Sequence, residues 1–246
     1  MGTEQQVHIE VFVFEGCPHA DAALRMAEDV ARRPGPGITV ERVDVSTPER
    51  AAELSFLGSP SIRVNGADLE VKTASMGRLG CRTYEDGAGV PPEWLIEAAV
   101  LRSLSPRSIL FLCVANSARS QLAEGIARSL APTGVTVWSA GSQPTRVRPE
   151  AIAALAEIGI DISHHRSKSV SEIPAGQVDT VITLCGEEEC PVFLGKARRL
   201  HWGLPDPASV AGDEEARLDA FRGTRDELRR RFAVLFSSEN PAAATQ

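Results

Sequence analysis

Short apolar runs and amphipathic stretches alternate along the first hundred residues. The apolar runs are typical of strands, and the stretches with apolar positions three and four apart are typical of helices. Pro34-Gly35-Pro36-Gly37 ends the first helix, and Asn65-Gly66 is a hairpin-turn signal. The pattern predicts the order β-α-β-α-β-(β)-α, with strands at 7–14, 38–45 and 62–64 and helices at 18–33, 47–56 and 92–104.

The rest of the chain repeats the alternation and ends with a longer helix. Leu122, Ile126 and Leu130 recur at fourfold spacing, which places them on one helix face. The pattern predicts strands at 109–112, 135–140, 178–184 and 198–202 and helices at 118–130, 149–158 and 213–236. Strands alternating with helices predict an α/β class with a parallel, doubly wound sheet. Ser105-Pro106-Arg107 is the expected boundary, giving domains 1–104 and 105–246.

Composition and charge exclude several classes of protein. Apolar residues make up 43% of the chain and charged residues 24%, which is ordinary for a globular protein. The net charge is −7 and no basic stripe is present, so we expect no nucleic-acid partner. No apolar run reaches about 18 residues, and the first residues lack a secretory-signal pattern. We therefore expect no membrane association and a cytoplasmic location.

The five cysteines are candidates for reactive thiols: Cys17, Cys81, Cys113, Cys185 and Cys190. Their number is odd and the chain is not a small secreted domain, so a structural disulfide framework is not expected. Thiols that react in a reducing cytosol are the better interpretation.

The segment from Cys113 to Ser120 has the features of an anion-binding loop. It connects a predicted strand to a helix N-terminus, where backbone N–H groups converge and the helix dipole favours negative charge. The same field favours the thiolate form of Cys113. Arg119 can hold two oxyanion oxygens in fork geometry. The loop residues expected to bind the anion with them are Val114, Ala115, Asn116, Ser117, Ala118 and Ser120.

The stretch CVANSARSQLAEG, starting at Cys113, resembles the phosphate loop of the low-molecular-weight tyrosine phosphatase fold and of the arsenate reductases that share it. The resemblance runs from about Ser108 to Phe236. It implies that Cys113 is the nucleophile and that Asp206, in Leu204-Pro205-Asp206-Pro207, is the general acid.

The segment Cys185-Gly186-Glu187-Glu188-Glu189-Cys190 favours a reductase, because a phosphatase needs only one cysteine. It resembles the thioredoxin-coupled arsenate reductases, which implies a relay from Cys113 to Cys185 and then Cys190. The implied substrate is arsenate, with phosphate and sulfate as competing anions. The implied reductant is an external thiol protein such as thioredoxin, and no bound cofactor or metal is expected.

Several alternatives remain open at this stage. The chain could be a low-molecular-weight phosphatase with a redox-regulatory cysteine pair, or a non-catalytic arsenic-binding or stress-sensing protein. Cys185 and Cys190 could also be a buried and an incidental cysteine, or half of a zinc site with His164, His165 or His201. Two departures from relatives bear on the choice: Ala118 replaces a cysteine present in some reductases, and Ala208 stands where such phosphatases usually have tyrosine.

The first domain resembles a thioredoxin-like domain in its element order, its Gly16-Cys17-Pro18 turn and Ser59-Pro60 before a strand. The resemblance implies a cis proline facing the cysteine. Ala20 stands where thioredoxins have a second cysteine, so Cys81 is the alternative resolving thiol. The domain could deliver electrons to the second domain, bind arsenite or a thiophilic metal through Cys17 and Cys81, or serve only stability and docking.

Overall fold

The computed structural model describes residues 6–70, 77, 79–186 and 191–237. These residues form two compact units, one of 6–105 with Ser237 and one of 106–236. No helix among them is both long and apolar enough to cross a membrane.

The first unit contains a four-stranded mixed sheet in the order β2-β1-β3-β4. Strand β1 is parallel to β2 and antiparallel to β3, which is antiparallel to β4. The peptide bond between Ser59 and Pro60, just before β3, is cis. The elements are β1 (Val7–Val13), α1 (Ala20–Arg32), β2 (Ile38–Asp44), α2 (Pro48–Glu53), β3 (Ser61–Val64), β4 (Ala67–Asp68) and α3 (Glu93–Ser103).

The core of the first unit lies between β1 and two helices. Ile9 and Val11 of β1 are fully buried together with Ala23 and Ala27 of α1 and Ile96 of α3. Alanines four apart lie on one helix face, and their small side chains let α1 pack closely on the sheet.

Helix α1 begins two residues later than the pattern predicts. The backbone N–H of Ala20 donates to the carbonyl of Cys17 at 3.3 Å, so a turn precedes the helix. His19 is its N-cap residue and makes no side-chain capping hydrogen bond. Cys17 therefore lies in the turn and not in the first helical turn.

The second unit contains an all-parallel sheet in the order β6-β5-β7-β8. All six residues of β5 are buried, as expected for a parallel strand covered on both faces. The elements are β5 (Ser108–Cys113), α4 (Arg119–Leu130), β6 (Thr136–Gly141), α5 (Pro149–Ala156), β7 (Thr180–Thr183), β8 (Arg198–His201) and α6 (Glu214–Leu235).

Helix α6 fixes one side of this sheet through aromatic packing. Phe232 lies 5.2 Å from Phe111 of β5 and 5.9 Å from Trp202, measured between ring centroids. All three rings are fully buried. Helix α5 ends at Ala156, two residues before the predicted end, because the N–H groups of Gly159 and Ile160 turn back to close it.

Candidate active site

Cys113 is the last residue of β5, and its thiol lies at the carboxyl edge of the sheet. It is buried, and its Sγ is 2.9 Å from the hydroxyl oxygen of Ser120 in the first turn of α4. Five residues, 114–118, connect the strand to the helix. The sequence-predicted nucleophile and the helix N-terminus are therefore held together by a short loop.

The loop is fixed from outside by the segment that follows β6. The carbonyls of Val114, Ala115 and Ser117 accept hydrogen bonds from backbone N–H groups at 143, 145 and 148, at 2.9–3.1 Å. The C=O and N–H of a trans peptide point in opposite directions, so the next N–H groups are turned away from those partners. Such an arrangement of N–H groups suits a bound anion.

Asn116 is the centre of a buried hydrogen-bond network under the loop. Its Nδ2 donates to the hydroxyls of Ser120 and Ser139, both at 2.8 Å. Its Oδ1 accepts from the backbone N–H of Lys168 at 2.7 Å and from Nε2 of Gln121 at 3.0 Å. Asn116 has φ 46°, a left-handed conformation that asparagine tolerates better than most residues. The loop shape therefore depends on this side chain.

A buried carboxylate lies below the network. Glu124 of α4 is 1% exposed and accepts from the hydroxyl of Ser139. It is neutralised by Lys168 Nζ at 2.9 Å and Arg128 Nη2 at 2.6 Å. With two cationic partners and a hydroxyl donor, this buried carboxylate has its charge and hydrogen bonds compensated. The network therefore holds the residues below the loop in a fixed arrangement. Beside it, burial lowers the pKa of His165, whose Nδ1 lies 2.9 Å from Gln121 Oε1.

Gly141, the last residue of β6, provides the space that the loop needs. A Cβ at this position would clash with the carbonyl oxygen of Val114 and would lie 2.8 Å from the backbone nitrogen of Asn116. Because β6 runs beside β5, with Gly141 opposite Cys113, any side chain there would push the loop away.

Arg119 and Asp206 meet at the same edge of the sheet. The guanidinium of Arg119 is buried and donates to the carbonyl of Leu204 at 3.0 Å. Its Nη2 lies 3.6 Å from Asp206 Oδ1. Asp206 also accepts from the N–H of Ala208, which holds its carboxylate at the start of a short 3₁₀ helix.

Cys185 lies at the end of the neighbouring strand. Strand β7 is parallel to β5 with Leu112 opposite Thr183, and the N–H of Leu184 donates to the carbonyl of Leu112 at 2.8 Å. Cys185 follows directly and is buried. Two of the predicted relay cysteines therefore follow adjacent parallel strands at one edge. The predicted third, Cys190, lies outside the described residues.

The segments that carry the two cysteines of the first unit both contact Ser59. Ser59 forms a parallel bridge with Cys81, and its hydroxyl accepts from the N–H of Phe14 at 3.4 Å. Cys17 follows Phe14 in a turn, with its N–H donating to the Phe14 carbonyl at 3.3 Å. Cys17 is half-buried and Cys81 is exposed. Both thus belong to the segments that meet at the cis Ser59-Pro60 bond.

Sequence reasoning named the loop, Arg119 and Asp206 but missed their supports. Gly141 and Lys168 act on Asn116 from 25 and 52 residues further along the chain, and no local pattern in the sequence connects them to the loop. Among the residues that the structure describes, no group of three or more His, Cys, Asp or Glu could hold a metal ion.

Comparison with known proteins places residues 108–242 in a family model described as low molecular weight phosphotyrosine protein phosphatase. An arsenate reductase of Halalkalibacterium halodurans is 39% identical over 130 residues, which is 52% of this chain and 94% of that protein. An arsenate reductase of Bacillus subtilis is 40% identical over 122 residues, covering 49% of this chain and 88% of that protein.

Proposed function

Because the chain belongs to the low molecular weight phosphotyrosine protein phosphatase family, we propose that its second unit performs this family's oxyanion chemistry as an arsenate reductase. The observation that carries the proposal is the position of Cys185 beside Cys113, at the ends of adjacent parallel strands. Hydrolysis of a phosphoester needs only one thiol because it consumes no electrons, whereas reduction of arsenate needs two electrons, which a second thiol can supply. The similarity to arsenate reductases over almost their whole length supports the same conclusion.

In the proposed reaction, the Cys113 thiolate attacks arsenic(V) held by the loop and Arg119. Asp206 protonates the oxygen that leaves as water. Cys185 then attacks the sulfur of Cys113, and the S–As bond breaks with its electron pair remaining on arsenic. Arsenite, now arsenic(III), is released, and two thiols have become the Cys113–Cys185 disulfide.

Cys190 then attacks Cys185, which restores Cys113 as a thiolate and leaves a Cys185–Cys190 disulfide. An external dithiol must reduce that disulfide to complete the cycle. We propose a thioredoxin-type protein of the cytoplasm as this reductant. Phosphate and sulfate, which are tetrahedral oxyanions of similar shape, should compete with arsenate for the loop.

Phosphatase activity is the second candidate, favoured by the family match itself. Cys113, Arg119 and Asp206 are the groups that phosphomonoester hydrolysis by a cysteine nucleophile would use. Since the loop suits arsenate and phosphate alike, slow phosphatase turnover is compatible with either assignment.

For the first unit, we infer a thioredoxin-like domain. The sheet order β2-β1-β3-β4 and the cis Ser59-Pro60 bond support this fold. Cys17 and Cys81, whose segments both contact Ser59, are the proposed thiols of an internal redox partner for the second unit. If arsenate turnover under limiting external reductant is unchanged in Cys17→Ser, this internal role is refuted.

The function is tested by measuring arsenite formed from arsenate by the full chain with thioredoxin, thioredoxin reductase and NADPH. The Cys185→Ala variant is assayed beside it, with Arg229→Gln on the exposed face of α6 as the neutral control. Turnover that disappears only with Cys185 supports the reductase. Absence of turnover, with phosphotyrosine hydrolysis that survives Cys185→Ala, would assign the phosphatase instead.

A further inference from the structure

Residues 142–148, the segment that follows β6, carry two arginines beside the anion loop. The backbone N–H of Arg148 donates to the carbonyl of Ser117 at 2.9 Å. The residue before Arg146 donates its N–H to another loop carbonyl, at 3.1 Å. Arg146 lies between these two bonded positions. The backbone of both arginines is therefore held at the rim of the loop.

Both arginines are exposed, and their charges are not neutralised by a carboxylate. In the part of the chain that the structure describes, neither Arg146 nor Arg148 forms an ion pair. The nearest carboxylate along the chain, that of Glu150, is paired with Arg217 at 3.4 Å. Two full positive charges therefore remain at this rim.

The carboxylates already described at the loop do not cancel these charges, because each has cations of its own. Asp206 lies 3.6 Å from Arg119. Glu124 has two cationic partners, at 2.9 and 2.6 Å. Among these described groups, the charge left over beside the loop is that of the two rim arginines. Its sign attracts an oxyanion.

Attraction of this kind does not require contact with the anion. Charges in water act over a Debye length, which is about 10 Å at 0.1 M ionic strength and about 30 Å at 0.01 M. The nitrogen of Arg148 is 2.9 Å from the Ser117 oxygen. Since an extended arginine side chain spans about 7 Å, its guanidinium stays within about 11 Å of that loop oxygen in any rotamer.

We propose that Arg146 and Arg148 steer the anionic substrate towards Cys113 and favour compact anions of higher charge. This inference rests on the proposed function and deepens it by naming residues that select the substrate. Attraction is proportional to the product of the charges, so a dianion such as arsenate gains twice as much as a monoanion. The two arginines act on capture of the anion, whereas the bond-making steps belong to Cys113 and its neighbours.

The first test is the dependence of kcat/KM for arsenate on ionic strength, measured with the full chain and saturating reduced thioredoxin. The double variant Arg146→Gln/Arg148→Gln should lose about tenfold at about 0.01 M, about threefold at about 0.1 M and almost nothing at about 1 M ionic strength. Its kcat should equal that of the parent. A loss of the same size at every ionic strength, or no loss at low salt, would overturn the proposal.

Arg107 and Lys196 provide a matched control at the other edge of the same sheet. Both are exposed and border one groove at the start of β5. The six residues of β5, at about 3.3 Å each, put about 20 Å between this groove and the loop. Arg107→Gln/Lys196→Gln removes the same charge and should cost less than about twofold even at low salt. An equal loss in both double variants would mean that total charge matters and its position does not.

Lysine at the two rim positions distinguishes steering from direct binding. Arg146→Lys/Arg148→Lys keeps both charges but removes the fork geometry of the guanidinium groups. It should therefore behave as the parent at every ionic strength. A loss as large as that of the glutamine variant would refute steering.

Alkylation of Cys113 keeps this inference separate from the reductase assignment. Iodoacetate and iodoacetamide are similar in shape, but only iodoacetate is charged. The rate at which each labels Cys113 is measured by mass spectrometry, and the ratio of the iodoacetate rate to the iodoacetamide rate should fall about threefold in Arg146→Gln/Arg148→Gln at about 0.01 M ionic strength. A change in the reactivity of the thiol itself would alter both rates alike and leave the ratio unchanged.

The two results together separate the possible failures. If the parent makes no arsenite but the ratio falls in the glutamine variant, the reductase assignment fails and steering stands. If the parent makes arsenite and the ratio is the same in parent and variant, the reductase stands and steering is refuted.

Discussion

Each unit has a cysteine where the first strand of its sheet leads to the following helix, at the end of the strand or in the turn after it, yet the two turns differ in what they can bind. In the second unit the helix starts with Arg119, and its first turn has no acidic residue. In the first unit, helix α1 has Asp21 in its first turn. An oxyanion near Cys113 meets a helix dipole and a guanidinium, whereas the helix that follows Cys17 has a carboxylate in its first turn, 3.7 Å from Arg42. A cysteine at a strand-to-helix turn is thus not sufficient to make an anion site.

The two turns also differ in their support. Ser120, Asn116 and Glu124 form a buried network below Cys113. The turn at Cys17 is held by two backbone hydrogen bonds of 3.3 Å, and His19 caps α1 without a side-chain bond. We expect the first turn to suit exchange with another thiol and the second to suit binding of a compact anion.

The largest expected effect comes from exchanging sulfur for oxygen in each turn. Cys113→Ser should lower arsenate turnover and phosphomonoester hydrolysis by about a thousandfold or more, because the nucleophile is lost. Cys17→Ser should change neither when external dithiol is saturating. Steady-state rates of both variants check this, and a comparable loss in Cys17→Ser would erase the distinction between the turns.

Removing the guanidinium should have the next largest effect. Arg119→Lys keeps a positive charge but cannot hold two oxygens in fork geometry, so kcat/KM for arsenate should fall about 100-fold. Arg229→Gln on the exposed face of α6 is the control and should be neutral. A loss of less than about threefold in Arg119→Lys would mean that a positive charge is enough for arsenate binding and that the fork geometry is not required.

Two glycines distinguish crowding from backbone strain. Gly141→Ala should destabilise the second unit by about 1–3 kcal/mol, since the added methyl would meet the loop backbone. Gly16 in the first unit has open space around it but φ 83°, so Gly16→Ala should cost about 1 kcal/mol. Urea unfolding measures both, with Gly176→Ala as a control position in open space.

Substituting asparagine at each of the two glycines further separates crowding from backbone strain. Gly16→Asn should recover part of the stability lost in Gly16→Ala, because asparagine tolerates positive φ. Gly141→Asn should be at least as harmful as Gly141→Ala, because its side chain is larger. The reverse order at position 141 would show that the loop can move aside.

The smallest expected effect is on the stability of the second unit at acidic pH. Hydrogen bonds from Arg222 lower the pKa of Glu157 to about 2 in the folded chain. Because the pKa of Glu157 is lower in the folded chain than in the unfolded chain, its carboxylate stabilises the fold at pH values above the unfolded pKa. This stabilisation is lost as the pH falls through the folded pKa. Glu157→Gln should therefore be less stable than the parent at pH 7, and the gap should close between about pH 4.5 and pH 2.

Circular dichroism during urea unfolding at several pH values measures that gap. The exposed Arg229→Gln variant should run parallel to the parent throughout. A gap that persists at pH 2 would mean that Glu157 stabilises α5 and α6 through packing rather than charge.

The order of strands and helices could be predicted from the sequence because it depends on local periodicity. Loop residues 113–120 could be predicted for the same reason, since strand, turn and helix are contiguous. Lys168 and Gly141 could not, because their contacts with Asn116 depend on how distant segments pack. The helix start at Ala20 was missed because the extra turn at Cys17 is a matter of backbone hydrogen bonding.

Thr183 and His201 illustrate the same limit at the second thiol. Nothing in their spacing of 18 residues suggests a pair, and only the parallel register of β7 and β8 places them opposite each other. Cys185 was expected at the correct edge because the crevice rule follows from element order alone. The position of His201 opposite Thr183 could be known only from the register of the two strands.

Gly141 also determines whether the loop could be transplanted. The segment from Cys113 to Ser120 is contiguous, which suggests that one strand and one helix of another scaffold are enough to hold it. Its shape, however, depends on a neighbouring strand that ends without a side chain and on the segment beyond it that donates to three loop carbonyls. A protein engineer would have to move two strands and both connections, so the smallest portable unit is a β-α-β module.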